Sequence, residues 1–390
     1  MRKKNLRKQS KKLFLLCFLI LHTAVFQGCS NNDSNNEKIT SSQAEALEKN
    51  NETALVLSVN QNNIFMNKML YYITYYESLG AYQAEYNEYY YGITDYWNSE
   101  DENGITMRES LKQSTMDTAI RFEILADQAM KAGISLSENE TKENQSNAEN
   151  FLSQLTQEQI EKSGITISGI KKALDTISLG MKYSEKIKEN LIIDESAITN
   201  SIHKEEYQEY ETEYLYLPTV TYDADLKPIE LSEEEKLQQL EFMEQALKKA
   251  NSGMEFSKIK TEMADVVSLT NTTRDFIQGS EAIESAYQEA SMTLKNGEIS
   301  DMIKGEYGYY IIKMINNSST KSYDAAIEEA LLKATNEAYL KAYEELKKEY
   351  TITTNTEYWD SLRMGEITLL PTEDEESPND ATDATDTSQT

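Results

Sequence analysis

Two hydrophobic periods alternate along this chain, and the places where one gives way to the other divide it. A basic start is followed by an almost unbroken apolar run from Leu13 to Phe26, then by polar residues 30–52. Residues 55–60 (Leu55-Val56-Leu57-Ser58-Val59-Asn60) form a short apolar block between polar neighbours, which predicts a strand. From about 64 to 98, Tyr71, Tyr72, Tyr75, Tyr76, Leu79 and Tyr82 recur at helical spacing. Thr106…Glu109, Ser137…Glu140 and Thr156…Gln159 are capping boxes, each placing a helix start. The first of these helices carries Leu111, Thr118, Phe122, Leu125 and Ala129 on one face and should stop at Gly133. Helices over about 138–153, 157–163, 167–190 and 194–210 follow, with no proline between residues 30 and 217. The residues up to about 207 therefore read as one helical module.

The period changes at Glu213-Tyr214-Leu215-Tyr216-Leu217-Pro218, where Leu and Tyr alternate and Pro closes a strand. Pro228 and the capping box Ser232…Glu235 open a helix that runs to about Ala250, with Gly253 behind it. Helical turns at Phe256–Met263 and Glu281–Ala290, a turn at 294–300 and a strand at Tyr309–Ile315 complete this region. A long helix fits 323–349, and Trp359 and Leu362 lie in a short segment after it. Residues 366–390 read as an acidic, disordered tail. The fold class expected is α+β: a helical lobe interrupted by a β-α-β unit.

The ends suggest where the protein works. Arg2, Lys3, Lys4, Arg7, Lys8, Lys11 and Lys12 ahead of the apolar run give the layout of an export signal, residues 1–28. The run is short for a membrane span, which takes roughly 20 apolar residues. It ends in Phe26-Gln27-Gly28-Cys29, which resembles a bacterial lipobox. That resemblance implies lipidation of Cys29 and a lipid anchor on the outer face of the cytoplasmic membrane, with 29–54 a polar tether. An uncleaved signal anchor with an incidental Cys29 thiol is the competing reading.

Charge and composition narrow the chemistry. The chain of 390 residues has a net charge of −29; without the seven n-region bases it keeps 31 basic against 67 acidic residues, near −36. Such a charge excludes nucleic acid as a partner. Beyond the signal the chain has one histidine, His203, and one cysteine, Cys29, so neither a metal site, a disulfide framework nor a cofactor is expected. Tyrosines number 25 against nine phenylalanines, a bias that suits half-exposed surfaces able to grip varied peptides.

Residues 208–317 resemble a parvulin-type peptidyl-prolyl isomerase domain. Leu294-Lys295-Asn296-Gly297-Glu298-Ile299-Ser300 followed by Tyr307-Gly308-Tyr309-Tyr310-Ile311-Ile312-Lys313 carries most of the likeness. Tyr214-Leu215-Tyr216-Leu217 stands at the family's first strand, Gly253-Met254-Glu255-Phe256 at its G-x-x-F junction, and Ile283, Tyr287 and Ala290 at its M-x-x-x-F-x-x-A. The helices on either side, 55–207 and 318–365, resemble the chaperone module of PrsA- and SurA-type foldases. The resemblance implies a membrane-anchored foldase for unfolded exported proteins, with a homodimer as one arrangement left open. It also shows a departure: the family's two histidine positions hold Tyr214 and Tyr310, and its Cys/Asp position falls on Asp265. Isomerase activity is therefore expected to be weak or absent, while Ile283, Tyr287 and Tyr310 are candidates for lining a proline-peptide groove. Ordinary sheet packing is the plainer expectation for the tyrosines. An active isomerase with an altered pocket, and a solute- or wall-binding lipoprotein, are the alternative functions.

Overall fold

A computed structural model describes residues 41–369; the segment read as an export signal, Cys29 and the acidic stretch beyond residue 369 lie outside the described residues. The described chain divides into two units: Leu191–Ala338 is one, and the residues before and after it form the other.

The first unit begins with α1 (Ser41–Asn51), β1 (Leu55–Val59) and β2 (Asn62–Phe65), the last two forming a hairpin turned by Asn60 in the left-handed region. Residues 41–51, expected within the tether, are thus helical, and Asn51 is buried with its amide donating to the Ser163 carbonyl. Then follow α2 (Met66–Tyr91), α3 (Met107–Lys131), α4 (Glu138–Ser153), α5 (Gln157–Ser163) and α6 (Ile167–Glu189). Capping boxes at Thr106/Glu109, Ser137/Glu140 and Thr156/Gln159 start α3, α4 and α5, satisfying donors that a helix start leaves orphaned. Helix α2 ends at Tyr91 rather than near 98, because Gly92 adopts a φ of 68° and caps it. Met69, Leu70 and Ile73 of α2, Ile120, Ile124 and Leu125 of α3, and Ile170, Ala173 and Ile177 of α6 share one core. Helix α6 begins so close to α2 that a Cβ on Gly169 would stand 2.1 Å from the Asn67 carbonyl oxygen.

The second unit opens with α7 (Glu195–Ser201), which stops well short of residue 210: Ile202 is extended, a 3-10 turn takes Lys204–Tyr207, and β3 (Glu209–Pro218) follows. The Glu209 carboxylate accepts from the Ser319 hydroxyl and the Ser322 N–H, fixing the start of that strand. After β4 (Val220–Tyr222) and β5 (Pro228–Glu230) come α8 (Glu233–Asn251), α9 (Phe256–Met263), β6 (Thr270–Ile277), α10 (Ser285–Met292), β7 (Ile303–Lys304) and β8 (Gly308–Ser319). Strands β6-β3-β8-β7 form an antiparallel sheet in that order. Strand β6 is polar and lies at the sheet edge, so its pattern gave no strand signal.

Helix α11 (Lys321–Lys347) leaves this unit, and from Tyr339 the chain belongs to the first again. The expected boundaries at 207/208 and 317/318 both fall inside the second unit. The returning chain adds β9 (Ile352–Thr354) beside β1 and forms α12 (Thr356–Ser361). Residues 366–369, expected to begin the tail, are instead a packed strap. The buried Glu77 carboxylate of α2 accepts from the backbone N–H groups of Gly365, Ile367, Thr368 and Leu369 at 2.5, 3.0, 2.6 and 3.2 Å. Burial raises the Glu77 pKa, and these hydrogen bonds oppose the rise. The strap could not be foreseen because its partner lies about 290 residues earlier in the chain.

Candidate functional site

Side-chain alternation sorts the second unit's sheet into two unlike faces. Leu215, Leu217 and Ile311 point to one face, where Met243, Ala246, Phe256 and Ile259 of α8 and α9 cover them. Tyr210, Tyr214, Tyr310, Ile312 and Met314 lie on the other, with Tyr287 of α10 and Phe276 of β6. The antiparallel register pairs Tyr214 with Ile312 and Tyr216 with Tyr310, so Tyr214 and Tyr310 become diagonal neighbours. Their ring centroids are 5.7 Å apart. Tyr287 lies nearly perpendicular to both, at 5.5 and 5.2 Å, and Tyr216 stands 4.7 Å from Tyr310. Such edge-to-face contacts suit the ring quadrupoles.

Each hydroxyl of the central trio has a partner. Arg274 of β6 lies over Tyr214 and Tyr287, 4.7 and 5.0 Å from their centroids, and its Nη2 donates to the Tyr214 hydroxyl at 3.1 Å. The Thr212 hydroxyl donates to the Arg274 carbonyl at 2.8 Å. Its single proton is thereby used, so in the 2.7 Å contact with Tyr287 the tyrosine is the donor. Tyr310 donates to Glu284 Oε1 at 2.6 Å, and the Glu306 N–H donates to Oε2 at 2.8 Å. Gly305 permits this approach, since a Cβ there would stand 2.4 Å from Glu284 Oε2.

Burial governs the protonation of these phenols. It pushes Tyr287 and Tyr216 up to about 12. Tyr310 is raised further, by burial first and then by the hydrogen bond to the Glu284 carboxylate. Near neutral pH these three are neutral phenols, able to orient hydrogen bonds but not to act as bases.

The structure brings together four of the five residues singled out in the sequence. Tyr214 and Tyr310 are only 7% exposed, and Tyr216 and Ile283, both half-buried, pack against the same cluster. Tyr287 is 0% exposed, so it packs the cluster rather than lining a groove. Asp265 is not part of the site. It is exposed just after α9, between Met263 and Val267, which pack into the opposite face. Sequence reasoning missed Arg274 and Glu284. Arg274 had a usable signal, being the only Lys or Arg between Lys260 and Lys295; Glu284 had none. His203 is exposed, and among the described residues no group of three or more His, Cys, Asp or Glu is placed to hold a metal.

A second aromatic surface lies on the first unit. The first half of α2 is buried, including Tyr71 and Tyr72, but its last turns are not. Tyr82, Tyr86, Tyr89, Tyr90 and Tyr91 are 49, 41, 82, 63 and 67% exposed, and Ile93 follows at 42%. Tyr86, Tyr90 and Tyr89 form a chain of ring contacts at 4.6 and 4.8 Å. No helix among the described residues is long and apolar enough to cross a membrane.

No protein-family model matches the chain. The chaperone SurA of Dechloromonas aromatica (strain RCB) is 25% identical over 166 residues, 40% of this chain and 35% of that protein. The foldase protein PrsA of Caldanaerobacter subterraneus subsp. tengcongensis is 26% identical over 266 residues, 65% of this chain and 74% of that protein. The chain thus matches about a third of the first relative's length and three quarters of the second's. A solved PrsA from Lactococcus lactis aligns over 79% of this chain and 97% of its own, at 16% identity and a TM-score of 0.29. The chain is similar to PrsA- and SurA-type foldases and has an α+β fold.

Proposed function

Similar in sequence to foldases of the PrsA and SurA type, the chain is one that we propose acts as an extracytoplasmic foldase, holding unfolded segments of exported proteins rather than isomerising them quickly. The observation that carries this reading is the exposed row of tyrosines ending α2. Amphipathic rings open to solvent offer contact area to many sequences at low entropic cost. The second unit supports the holding half of the proposal. Its parvulin-like sheet has tyrosines at both histidine positions, and their hydroxyls are already engaged by Arg274 and Glu284. A twisting imide would meet the half-buried Ile283 and Tyr216 and no group ready to exchange a proton. We further propose lipidation at Cys29, on the strength of the lipobox-like Gly28-Cys29 after the apolar run. An anchor there would concentrate the foldase where clients emerge.

The test pairs X-Pro relaxation of a short peptide with aggregation of an unfolded protein. Suppressed aggregation with relaxation at the uncatalysed rate, tens to hundreds of seconds, is the expected result. Acceleration that disappears in Tyr310→Phe would instead favour an active isomerase whose pocket works through the Tyr310–Glu284 pair. Neither effect would remove the foldase reading.

A further inference from the structure

The exposed rings at the end of α2 have an unusual electrostatic setting. No Lys, Arg or His occurs between Lys68 and Arg108, whereas Glu85, Glu88, Asp95, Glu100, Asp101 and Glu102 are all exposed in that stretch. Tyr82, Tyr86, Tyr89 and Ile93 recur at helical spacing, so the rings share one side of the last turns, with Glu85 and Glu88 set among them. Ring faces carry negative potential, and carboxylates beside them add to it. An acidic segment would be repelled by this arrangement and an aliphatic one would gain contact area alone; a cation laid on a ring face within reach of a carboxylate gains from both.

Resting on the foldase reading, we infer that this stripe selects unfolded segments rich in Lys or Arg, the cations lying on Tyr86, Tyr89 and Tyr90 and pairing with Glu85, Glu88 and Asp95. Charge complementarity is what commits the surface to that occupant. A second copy of this strongly acidic chain would bring like charge to the same place.

The experiment uses the full chain and labelled peptides that are identical except at alternate positions, which carry Arg, Gln or Glu; anisotropy reads binding. The Arg peptide should bind at least about tenfold more tightly than the Gln peptide, with the advantage shrinking as salt rises to about 0.5 M. Combined Glu85→Gln, Glu88→Gln and Asp95→Asn should bring the two within about twofold. Neutralising Glu143, Glu149 and Glu189 elsewhere on the unit should leave the preference in place. Equal affinity for the Arg and Gln peptides, or a preference that outlives neutralisation of the stripe, overturns the proposal. So does a dimer that dissociates in Tyr86→Ser/Tyr89→Ser/Tyr90→Ser, since the stripe would then be an interface between copies. If the Arg and Gln peptides bind alike while aggregation is still suppressed, charge selection alone fails. If no peptide binds and aggregation proceeds, the foldase reading falls with it.

Discussion

The tyrosines on the sheet of the second unit and those ending α2 are the same side chain under opposite conditions. Tyr214, Tyr287 and Tyr310 are enclosed, each hydroxyl tied to Arg274, Thr212 or Glu284. Tyr89, Tyr90 and Tyr91 stand more than half exposed, with ring contacts to one another or to Tyr86. A ring with its hydroxyl satisfied inside the protein is structural material, and its surface is already spent. A ring left in water keeps its contact area for something else. Residue type therefore says little about which aromatic group binds; cover decides it, and cover is a tertiary property.

The sharpest break between the two groups should be in stability. Tyr287→Ala is expected to destabilise the protein by about 3–5 kcal/mol in urea unfolding, as other buried aromatic truncations do. Tyr89→Ala should stay within about 0.5 kcal/mol of the parent. Similar losses at both positions would mean that the α2 stripe is covered. A second contrast is alkaline. Burial holds Tyr287 at about 12 against an ordinary 10.0, so its contribution is complete below pH 10 and is lost as pH climbs toward 12. Over that window the unfolded chain releases this proton and the folded chain keeps it. A pH-stability curve should fall there, and Tyr287→Phe should make the fall shallower without abolishing it, because Tyr216 and Tyr310 are raised as well. The smallest contrast lies among buried tyrosines themselves. Tyr287→Phe leaves Thr212 short of a donor and should cost about 1 kcal/mol, whereas the buried Tyr72 hydroxyl has no hydrogen-bond partner among the described residues. Tyr72→Phe should therefore be neutral or stabilising by up to about 1 kcal/mol in the same unfolding experiment.

What could be read from the sequence was local. Capping boxes at Thr106, Ser137, Thr156 and Ser232 need only residues three apart, and all four start helices where expected. The Leu–Tyr alternation of β3 was visible because its two faces differ chemically. Strand β6 was not, since Thr270–Ile277 is a mostly exposed edge with little apolar contrast. The site divided along the same line. Tyr214 and Tyr310 were found through motif position. Glu284 was not, because it meets Tyr310 from 26 residues away. Asp265 was misassigned because position in a degenerate motif does not determine the face of the sheet. The tyrosine-rich segment carried one uniform signal and proved to be half core and half surface, with the change falling just beyond Gly80.

The Glu77 clamp sets an order of assembly. Its carboxylate is made early, yet the N–H groups it accepts from belong to residues 365–369, and β1 gains its neighbour β9 only after residue 351. For a chain delivered from its N-terminus, the first unit is a lock whose last pin arrives at the end. Until then its hairpin keeps an open edge and Glu77 sits without its donors. Closing a separation of about 290 residues makes this a slow step for the chain's own folding. A protein proposed to shelter unfinished clients is thus itself unfinished until residues 365–369 have emerged.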